Sequence, residues 1–322
     1  MADLDELKQK YKFHEETLSY FKLRAEAGFG SYPNAPSIEA ARDINLQVTK
    51  KFAGEVEFEG SVKEFIVPST HVKAGIPVTV YRSKQCSLVG APSIFVFFHG
   101  GGNVVGSRQT CDVICKIFSR DAPCVVVNVE YRLGPEHRFP ASNDDAKCVV
   151  RWVNFNKSLI GAVNDSTIGV GGHSAGGRLA AVVSQQLRTI IDYQVLIYPN
   201  VDYTQKYPSQ EEFENFPGLS KEMTQWFSEN YIDESDKESV LASPLLNEKF
   251  NCLPPALIIL AEFDVLKDAG VAYHNKLKKA GIPSQTHCVR GVTHGFFHLP
   301  GHFKECCKRA HEKVYKFIKA SS

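Results

Sequence analysis

The pentapeptide Gly-His-Ser-Ala-Gly at residues 172–176 is the part of this sequence with the clearest chemical potential. It follows a short apolar run at 167–170 and precedes a stretch of helix-forming residues. Glycines at Gly172 and Gly176 permit a sharp turn from strand to helix, which would expose the hydroxyl of Ser174 at the helix N-terminus. A serine held in this way can act as a nucleophile, whereas a serine on an ordinary helix face cannot.

A serine nucleophile needs hydrogen-bond donors that stabilise the oxyanion of the intermediate. The apolar run at 94–98 ends in His-Gly-Gly-Gly at 99–102, where consecutive backbone N–H groups are not shielded by a Cβ. We predict an oxyanion hole formed by the N–H groups of Gly100, Gly101 and Ala175. A flexible turn or a phosphate-binding loop is the alternative, but the Gly-Lys-Ser/Thr of a nucleotide-binding loop does not follow.

The base and the acid of such a site are predicted in two later loops. His294 follows the last predicted strand, and Asp264 follows the apolar run at 256–261. The chain order serine, acid, histidine is the order in which a doubly wound hydrolase brings these groups to one edge of its sheet. Glu262 and Asp268 stay open as alternative acids, and Asp268 would equally suit the first turn of the following helix.

Two further histidines, His298 and His302, follow His294 at intervals of four, which resembles the spacing of metal ligands. Two glycines and a proline would interrupt the single helix that this spacing needs, and no glutamate follows His294. We therefore predict no metal site, and the chemistry expected of Ser174 requires no organic cofactor.

The elements that position these residues follow from the hydrophobic pattern. Two alternating runs, at 55–68 and 76–81, predict an antiparallel hairpin at a sheet edge. Continuous apolar runs are typical of parallel strands covered on both faces. Such runs lie at 94–98, 124–129, 167–170, 195–198 and 256–261, with a last strand at 285–289. Helical patterns lie between them, at 110–119, 141–156 and 175–188. This alternation predicts an α/β fold with a doubly wound, mostly parallel sheet of eight strands flanked by helices.

One polar and aromatic segment at 203–241 interrupts this alternation, and a helix is predicted within it at 221–231. We predict that it forms a helical cap over the carboxyl edge of the sheet, together with the N-terminal helices of residues 1–50. A simple surface excursion is the alternative. The catalytic core then comprises residues 51–202 and 242–322.

Several ordered motifs resemble the hormone-sensitive-lipase branch of the α/β-hydrolases, which includes bacterial carboxylesterases, arylacetamide deacetylase and plant carboxylesterases. His-Gly-Gly-Gly at 99–102 resembles the oxyanion motif of that family, and Tyr-Arg-Leu-Gly-Pro-Glu-His at 131–137 resembles one of its architectural segments. Asp264 and His294 lie in segments similar to its acid and base loops. The similarity runs from about Ser93 to the C-terminus.

The resemblance implies a serine carboxylesterase that acts on short- to medium-chain or aryl esters through an acyl-enzyme intermediate. Phe216, Trp226 and Phe296 would line an apolar substrate pocket. The wider set of candidates is Phe213, Phe216, Trp226, Phe227, Phe296 and Phe297, and core packing is the alternative for these aromatic side chains. An amidase, a deacetylase or an acyltransferase would use the same three catalytic groups. A ligand receptor of this fold would have lost the histidine base, whereas this chain keeps His294.

One residue departs from the family pattern, because many members carry aspartate immediately before the nucleophile and this chain carries His173. We expect the histidine not to support the turn or the oxyanion loop as a carboxylate would. On so tight a turn its ring should point away from the Ser174 hydroxyl, so His173 is not predicted to be the base.

Composition excludes several classes of partner. The 322 residues include 37 basic and 36 acidic side chains, a net charge of +1 that gives no reason to expect nucleic-acid binding. The first ten residues lack an apolar core, and no uncharged apolar run reaches about 18 residues, so we expect neither a signal peptide nor a membrane anchor.

Nine cysteines without a framework spacing favour a reduced, cytoplasmic protein. The predicted partner is a small ester, and a homodimer stays open because some members of the family pair through the last strand.

Overall fold

The computed structural model describes residues 4–204 and 207–321. The ends of the predicted N-terminal and C-terminal segments, at residues 1–3 and 322, lie outside the described residues. So do positions 205 and 206 of the predicted cap.

Eight strands and ten α-helices alternate along the described chain. The strands are β1 (Gly60–Val67), β2 (Ile76–Ser83), β3 (Ile94–Phe98), β4 (Val125–Val129), β5 (Ile168–His173), β6 (Tyr193–Ile197), β7 (Ala256–Phe263) and β8 (Ser284–Thr293). The helices are α1 (Leu4–Lys10), α2 (Glu15–Glu26), α3 (Ile38–Phe52), α4 (Asp112–Asp121), α5 (Ala141–Phe155), α6 (Ala175–Gln186), α7 (Pro208–Glu212), α8 (Lys221–Tyr231), α9 (Lys267–Lys279) and α10 (Lys304–Ala320).

The strands form one sheet in the order β1-β2-β4-β3-β5-β6-β7-β8. β2 is antiparallel to both of its neighbours, and the strands from β4 to β8 pair in parallel. The predicted hairpin at the edge and the predicted mostly parallel sheet of eight strands are therefore confirmed. Because parallel strands end at the same edge of a sheet, the loops that follow β3, β5, β7 and β8 lie side by side.

The continuous apolar runs are explained by a core on each face of the sheet. In β3, the side chains of residues 94, 96 and 98 pack in one layer with α5, α6 and α9. Those of residues 95 and 97 pack in the other layer with α4 and α10. All five side chains are fully buried, which is why the strand shows no polar alternation.

β5 is longer than its apolar run predicted, because glycines continue the strand to its carboxyl end. A Cβ at Gly169 would collide with the ring of Tyr193, and one at Gly171 would collide with the ring of Phe95. Aromatic side chains of β6 and β3 thus fill the space that β5 leaves, so the glycines belong to the sheet and not to the turn alone.

The N-terminal residues pack against the segment that holds α7. The ring centroid of Tyr11 lies 4.9 Å from that of Phe216, and Phe13 lies 5.9 Å from the same ring. Phe13 also packs at 5.0 Å on Phe263, the last residue of β7. This aromatic cluster joins the two parts of the predicted cap to each other and to the sheet, although the cap boundaries stay a prediction. No helix of the described residues is both long enough and apolar enough to cross a bilayer.

A buried arginine connects α8 to the core. Arg178 on α6 is fully buried, and its Nη1 donates to Asn143 Oδ1 and to the carbonyl oxygen of Leu241, both at 2.9 Å. Its Nη2 donates to Asn103 Oδ1 at 3.1 Å and to the hydroxyl oxygen of Tyr231 at 2.8 Å. The guanidinium also lies 5.3 Å from the ring centroid of Tyr231. All four acceptors are neutral, so hydrogen bonds and ring contacts compensate the desolvation of the charge.

Replacing Arg178 by methionine should destabilise the fold strongly, because the buried amide oxygens of Asn143 and Asn103 lose their guanidinium donor, while the Leu241 carbonyl and the Tyr231 hydroxyl keep bonds to Asn143 and Ser142. We expect Arg178→Met to lower the free energy of unfolding by about 3 kcal/mol or more, since each unsatisfied buried polar group costs about 1–3 kcal/mol. Urea denaturation measures this change. The control is Arg188→Met just beyond α6, where Nη1 donates to the carbonyl of Asn251 at an exposed position. A loss of equal size in both variants would contradict the role of Arg178.

Candidate active site

Ser174 occupies the turn between β5 and α6 with φ of 57° and ψ of −120°. Residues with a side chain rarely adopt this backbone conformation, which concentrates strain at the predicted nucleophile. A Cβ at Gly172 would lie 2.5 Å from the backbone carbon of Gly176, and one at Gly176 would collide with the carbonyl oxygen of Phe98. Only glycine fits at both positions, so the two glycines allow the turn to approach the end of β3.

Three side chains that are distant in the sequence converge beyond the carboxyl ends of β5, β7 and β8. His294 Nε2 lies 2.9 Å from Ser174 Oγ, and His294 Nδ1 lies 2.7 Å from Asp264 Oδ2. Asp264 is 1% exposed, and its Oδ1 accepts the N–H of Leu266 at 2.9 Å. A carboxylate can only accept, so Nδ1 carries the proton and Nε2 is free to accept the serine proton. The arrangement can therefore move a proton from Ser174 to His294.

The alternative acids are engaged elsewhere. Glu262 pairs with Arg290 through one carboxylate oxygen and accepts the N–H of Gly291 through the other. Asp268 Oδ2 accepts the N–H of Ser209 at the start of α7. Asp264 is the one of the three candidate acids that contacts His294.

Sequence reasoning missed Tyr198, which follows β6 and packs against the base. Its ring centroid lies 4.5 Å from that of His294, and its side chain is fully buried. Burial raises the pKa of its hydroxyl well above the ordinary value, so the ring stays neutral. The signal was present in the sequence, because this residue ends the apolar run between the strands that carry Ser174 and Asp264.

The oxyanion loop differs from the prediction at its first glycine. The N–H of Gly100 donates to His173 Nε2 at 3.0 Å, so it is not available to a substrate oxygen. The prediction that Gly100 contributes to an oxyanion hole is wrong for this reason. The expected absence of carboxylate-like support at position 173 is qualified by this bond, because the histidine supports the loop through a ring nitrogen. Gly102 lines the cavity beside Ser174 and Ala175, so the N–H group next to the cavity is one residue later than expected.

The N–H groups of Gly101, Gly102 and Ala175 are without an acceptor among residues 4–204 and 207–321. A Cβ at Gly101 would collide with the carbonyl oxygen of Val105, and both loop glycines have positive φ, 109° and 61°. Glycine is thus required at both positions of this loop, which passes beside the cavity at Ser174. Three backbone donors without an internal acceptor therefore lie close to Ser174 in the chain or at its cavity.

The histidines with metal-like spacing do not gather around one point. His302 Nε2 bonds the carbonyl of Glu16, and the ring of His298 stacks on His173 with centroids 4.8 Å apart. The described residues do contain one compact set of possible metal ligands, namely His14, Glu16 and Cys306. Both carboxylate oxygens of that glutamate already accept N–H groups at the N-terminus of α10. This set therefore serves as a helix cap.

The cavity beside Ser174 is narrow, with a volume of about 20 Å³. Its walls are formed by two small residues that carry unbonded N–H groups and by the polar and apolar side chains around them. They are Gly102, Ala175, Asn200, Tyr203, Leu219, Thr224, Phe227 and Leu266. A larger groove of about 650 Å³ behind the oxyanion loop includes Arg42, Gly106 and Glu136 and does not reach Ser174.

The three predicted substrate-binding aromatic residues do not line this cavity. Phe216 is buried in the aromatic cluster of the N-terminal segment, and Phe296 lies in the core beneath Tyr198. Trp226 packs behind Phe227, with ring centroids 5.2 Å apart. None of the three lines the cavity in this structure, so their contact with a substrate stays a prediction. For Trp226 the reason is the rotation of α8, which places the adjacent aromatic residue at the cavity. Phe227 takes the expected place.

Comparison with known proteins agrees with this geometry. A family model described as the alpha/beta hydrolase fold matches residues 95–298. A carboxylic ester hydrolase of Mycobacterium tuberculosis, LipN, is 38% identical over 234 residues, which cover 70% of this chain and 61% of the relative's own length. An ethyl acetate hydrolase of Pseudomonas putida is 35% identical over 230 residues, covering 70% of this chain and 72% of that protein.

Solved structures of esterases superpose on most of the chain. The esterase of Pyrobaculum calidifontis has a TM-score of 0.82 at 33% identity and covers 89% of this chain and 94% of its own. A thermostable esterase of Pseudomonas putida has a TM-score of 0.88 at 28% identity and covers 96% and 97%.

A side chain at Gly102 should disturb the site, because a Cβ there would collide with the ring of Phe227 and φ is positive. We expect Gly102→Ala to slow the reaction of Ser174 with a fluorophosphonate probe by at least about tenfold, as the loop donors leave their positions. Gly90→Ala is the control, because no atom lies within 4 Å of the added Cβ. Equal labelling rates for Gly102→Ala and the wild type would show that the loop does not need this conformation.

Proposed function

Because this chain belongs to the hormone-sensitive-lipase-like family of α/β-hydrolases, we propose that it is a serine carboxylesterase. The observation that carries the proposal is the bridge that His294 makes between Ser174 Oγ at 2.9 Å and Asp264 Oδ2 at 2.7 Å. Relatives named as ester hydrolases support the reaction class.

In the proposed reaction, Ser174 Oγ attacks the ester carbonyl while His294 Nε2 takes the hydroxyl proton. Asp264 keeps the other proton on Nδ1 and balances the positive charge of the imidazolium. The N–H groups of Gly101, Gly102 and Ala175 donate to the oxyanion of the tetrahedral intermediate.

The intermediate collapses when His294 returns its proton to the leaving alcohol, which leaves the acyl group on Ser174. A water molecule then gives its proton to His294 Nε2 and attacks the acyl carbon. Return of that proton to Ser174 Oγ releases the carboxylic acid and restores the starting state. Loss of a single oxyanion donor typically lowers kcat by about 10²–10³-fold, so the three N–H groups carry a large part of the rate enhancement.

The cavity beside Ser174 is closed too tightly to hold an ester. A volume of about 20 Å³ is close to the minimum that holds one water molecule, about 10–15 Å³. An ester therefore enters only if the wall moves, and the wall includes Phe227 on α8. Leu219 and Leu266 keep the space apolar, while Asn200 and Thr224 add polar groups. We propose short- to medium-chain or aryl esters that do not need an extended lipid groove.

Two alternatives with the same geometry are less well supported. An amidase or an acyltransferase would use the same three side chains, but the relatives reported above are named for ester hydrolysis. A ligand receptor of this fold would not need the base, and His294 is present and in contact with Ser174. The nine thiols are all free, which supports a reducing compartment such as the cytoplasm. We also propose that the protein can form a homodimer, as some members of the family do through the last strand.

Removing the hydroxyl of Ser174 should abolish turnover. We expect Ser174→Ala to lower kcat on p-nitrophenyl acetate and butyrate by at least about 10⁴-fold, because no other group can form the acyl-enzyme. The control is Ser184→Ala on the same helix, whose buried hydroxyl has no partner among the described residues. Turnover of Ser174→Ala at the wild-type rate would show that the nucleophile is wrongly assigned.

Removing the ring of Phe227 from the cavity wall should shift the preferred length of the acyl chain towards longer esters. We expect Phe227→Ala to raise kcat/KM for the hexanoate over that for the acetate by at least about tenfold, the value of a single methylene newly accommodated in an apolar pocket. A series of p-nitrophenyl esters from two to eight carbons measures the shift. Phe155→Ala is the matched control, because Phe155 lies on α5 and is 83% exposed. An unchanged chain-length profile would exclude Phe227 as the limiting wall.

A further inference from the structure

Two histidine side chains form hydrogen bonds with the backbone N–H and the carbonyl oxygen of Gly100. His173 Nε2 accepts the N–H of Gly100 at 3.0 Å, and His99 Nδ1 lies 2.7 Å from the carbonyl oxygen of the same glycine. Tyr131 donates its hydroxyl hydrogen to the carbonyl of His99 at 2.6 Å. The residue that begins the oxyanion loop is therefore fixed at both of its backbone polar groups, immediately before Gly101.

The direction of these bonds determines the state of each ring. A backbone N–H can only donate, so His173 Nε2 must carry a lone pair and any proton must be on Nδ1. A carbonyl oxygen can only accept, so His99 Nδ1 must carry a proton. A second proton on His173 would place two N–H donors against each other, and the bond to Gly100 would be lost. The loop geometry thus requires a neutral imidazole at position 173.

The surroundings keep His173 neutral. Its ring is buried between Phe97, at a centroid distance of 6.0 Å, and His298, at 4.8 Å, with Tyr198 edge-on at 6.1 Å. Burial lowers the pKa of His173 well below its ordinary value, and His298, His99 and His294 lower it further. Burial also lowers the pKa of His298 to about 4. No carboxylate forms an ion pair with either ring among residues 4–204 and 207–321.

The ring and the glycine also fit each other sterically. A Cβ at Gly100 would lie 2.5 Å from His173 Cδ2 and 2.7 Å from His173 Nε2. His173 Nδ1 has no hydrogen-bond partner among the described residues. A buried polar group without a partner is costly. The ring therefore keeps the bond to Gly100 at the expense of its other nitrogen.

We propose that His173 is a positioning residue of the esterase, and that its neutral imidazole holds the oxyanion loop through the N–H of Gly100. This inference rests on the proposed function, because the loop matters only if an oxyanion forms beside Ser174. It gives the departure from the usual aspartate a physical role, since an uncharged ring nitrogen accepts the N–H of Gly100.

Two substitutions of similar size separate the acceptor from the volume of the ring. Glutamine places a side-chain oxygen near the position of an imidazole Nε2 and can accept the N–H of Gly100. Methionine has similar length but only a weak acceptor. Neither side chain can be protonated at neutral pH, so His173→Gln and His173→Met form a matched pair.

We expect His173→Met to lower kcat on p-nitrophenyl acetate by about 10–100-fold with KM nearly unchanged, because the loss falls on the transition state. His173→Gln should keep a kcat at least tenfold above that of His173→Met. Thermal unfolding of both variants controls for a general loss of structure. Equal kcat for the two variants, or a wild-type kcat for His173→Met, would overturn the proposal.

An independent measurement uses the ring itself. In protein with ¹⁵N-labelled histidine, the signal that disappears in His173→Gln belongs to His173. We expect its Nε2 to show the shift of an unprotonated nitrogen and its Nδ1 that of a protonated one between pH 6 and 8. A proton on Nε2 would overturn the inference even if the protein is a good esterase. A wild-type protein that hydrolyses no ester would refute the proposed function while the ring shifts still decide whether His173 holds Gly100.

Discussion

The close approach of the turn after β5 to the end of β3 is the constraint on which the site depends. No side chain fits between them, because a Cβ at Gly176 would collide with the carbonyl of Phe98 and one at Gly100 would press on His173. This contact brings Ser174, the N-terminus of α6 and the loop after β3 into one place. The positive φ of Ser174 is tolerated because the parallel sheet and α6 hold both sides of the turn.

The loop after β3 also connects α8 to the residues around Ser174. α8 carries Phe227 against Gly102 and, one turn later, Tyr231 against Arg178. Arg178 in turn donates to Asn103, the residue that follows the loop glycines. The wall of the cavity and the loop are therefore parts of one packed unit that includes α8.

The large features of this unit could be predicted from the sequence, because they depend on patterns that a single chain displays. Continuous apolar runs identify strands buried on both faces, and glycine spacing identifies the turn at Ser174. Placing Asp264 and His294 after successive strands predicts that they meet at one edge. What the sequence could not reveal depends on side-chain direction. The bond between Gly100 and His173 needs the actual loop path, and the choice of Phe227 over its neighbour Trp226 needs the rotation of α8 about its axis.

The small volume of the cavity beside Ser174 bears on how substrate enters and product leaves. A space of about 20 Å³ cannot admit even an acetyl group without displacement of its walls. Entry of an ester and release of its products would each require the wall to open, and Phe227 ties that wall to α8. Solvent viscosity, crowding and temperature would then act on throughput by way of helix mobility, in addition to their effect on bond breaking.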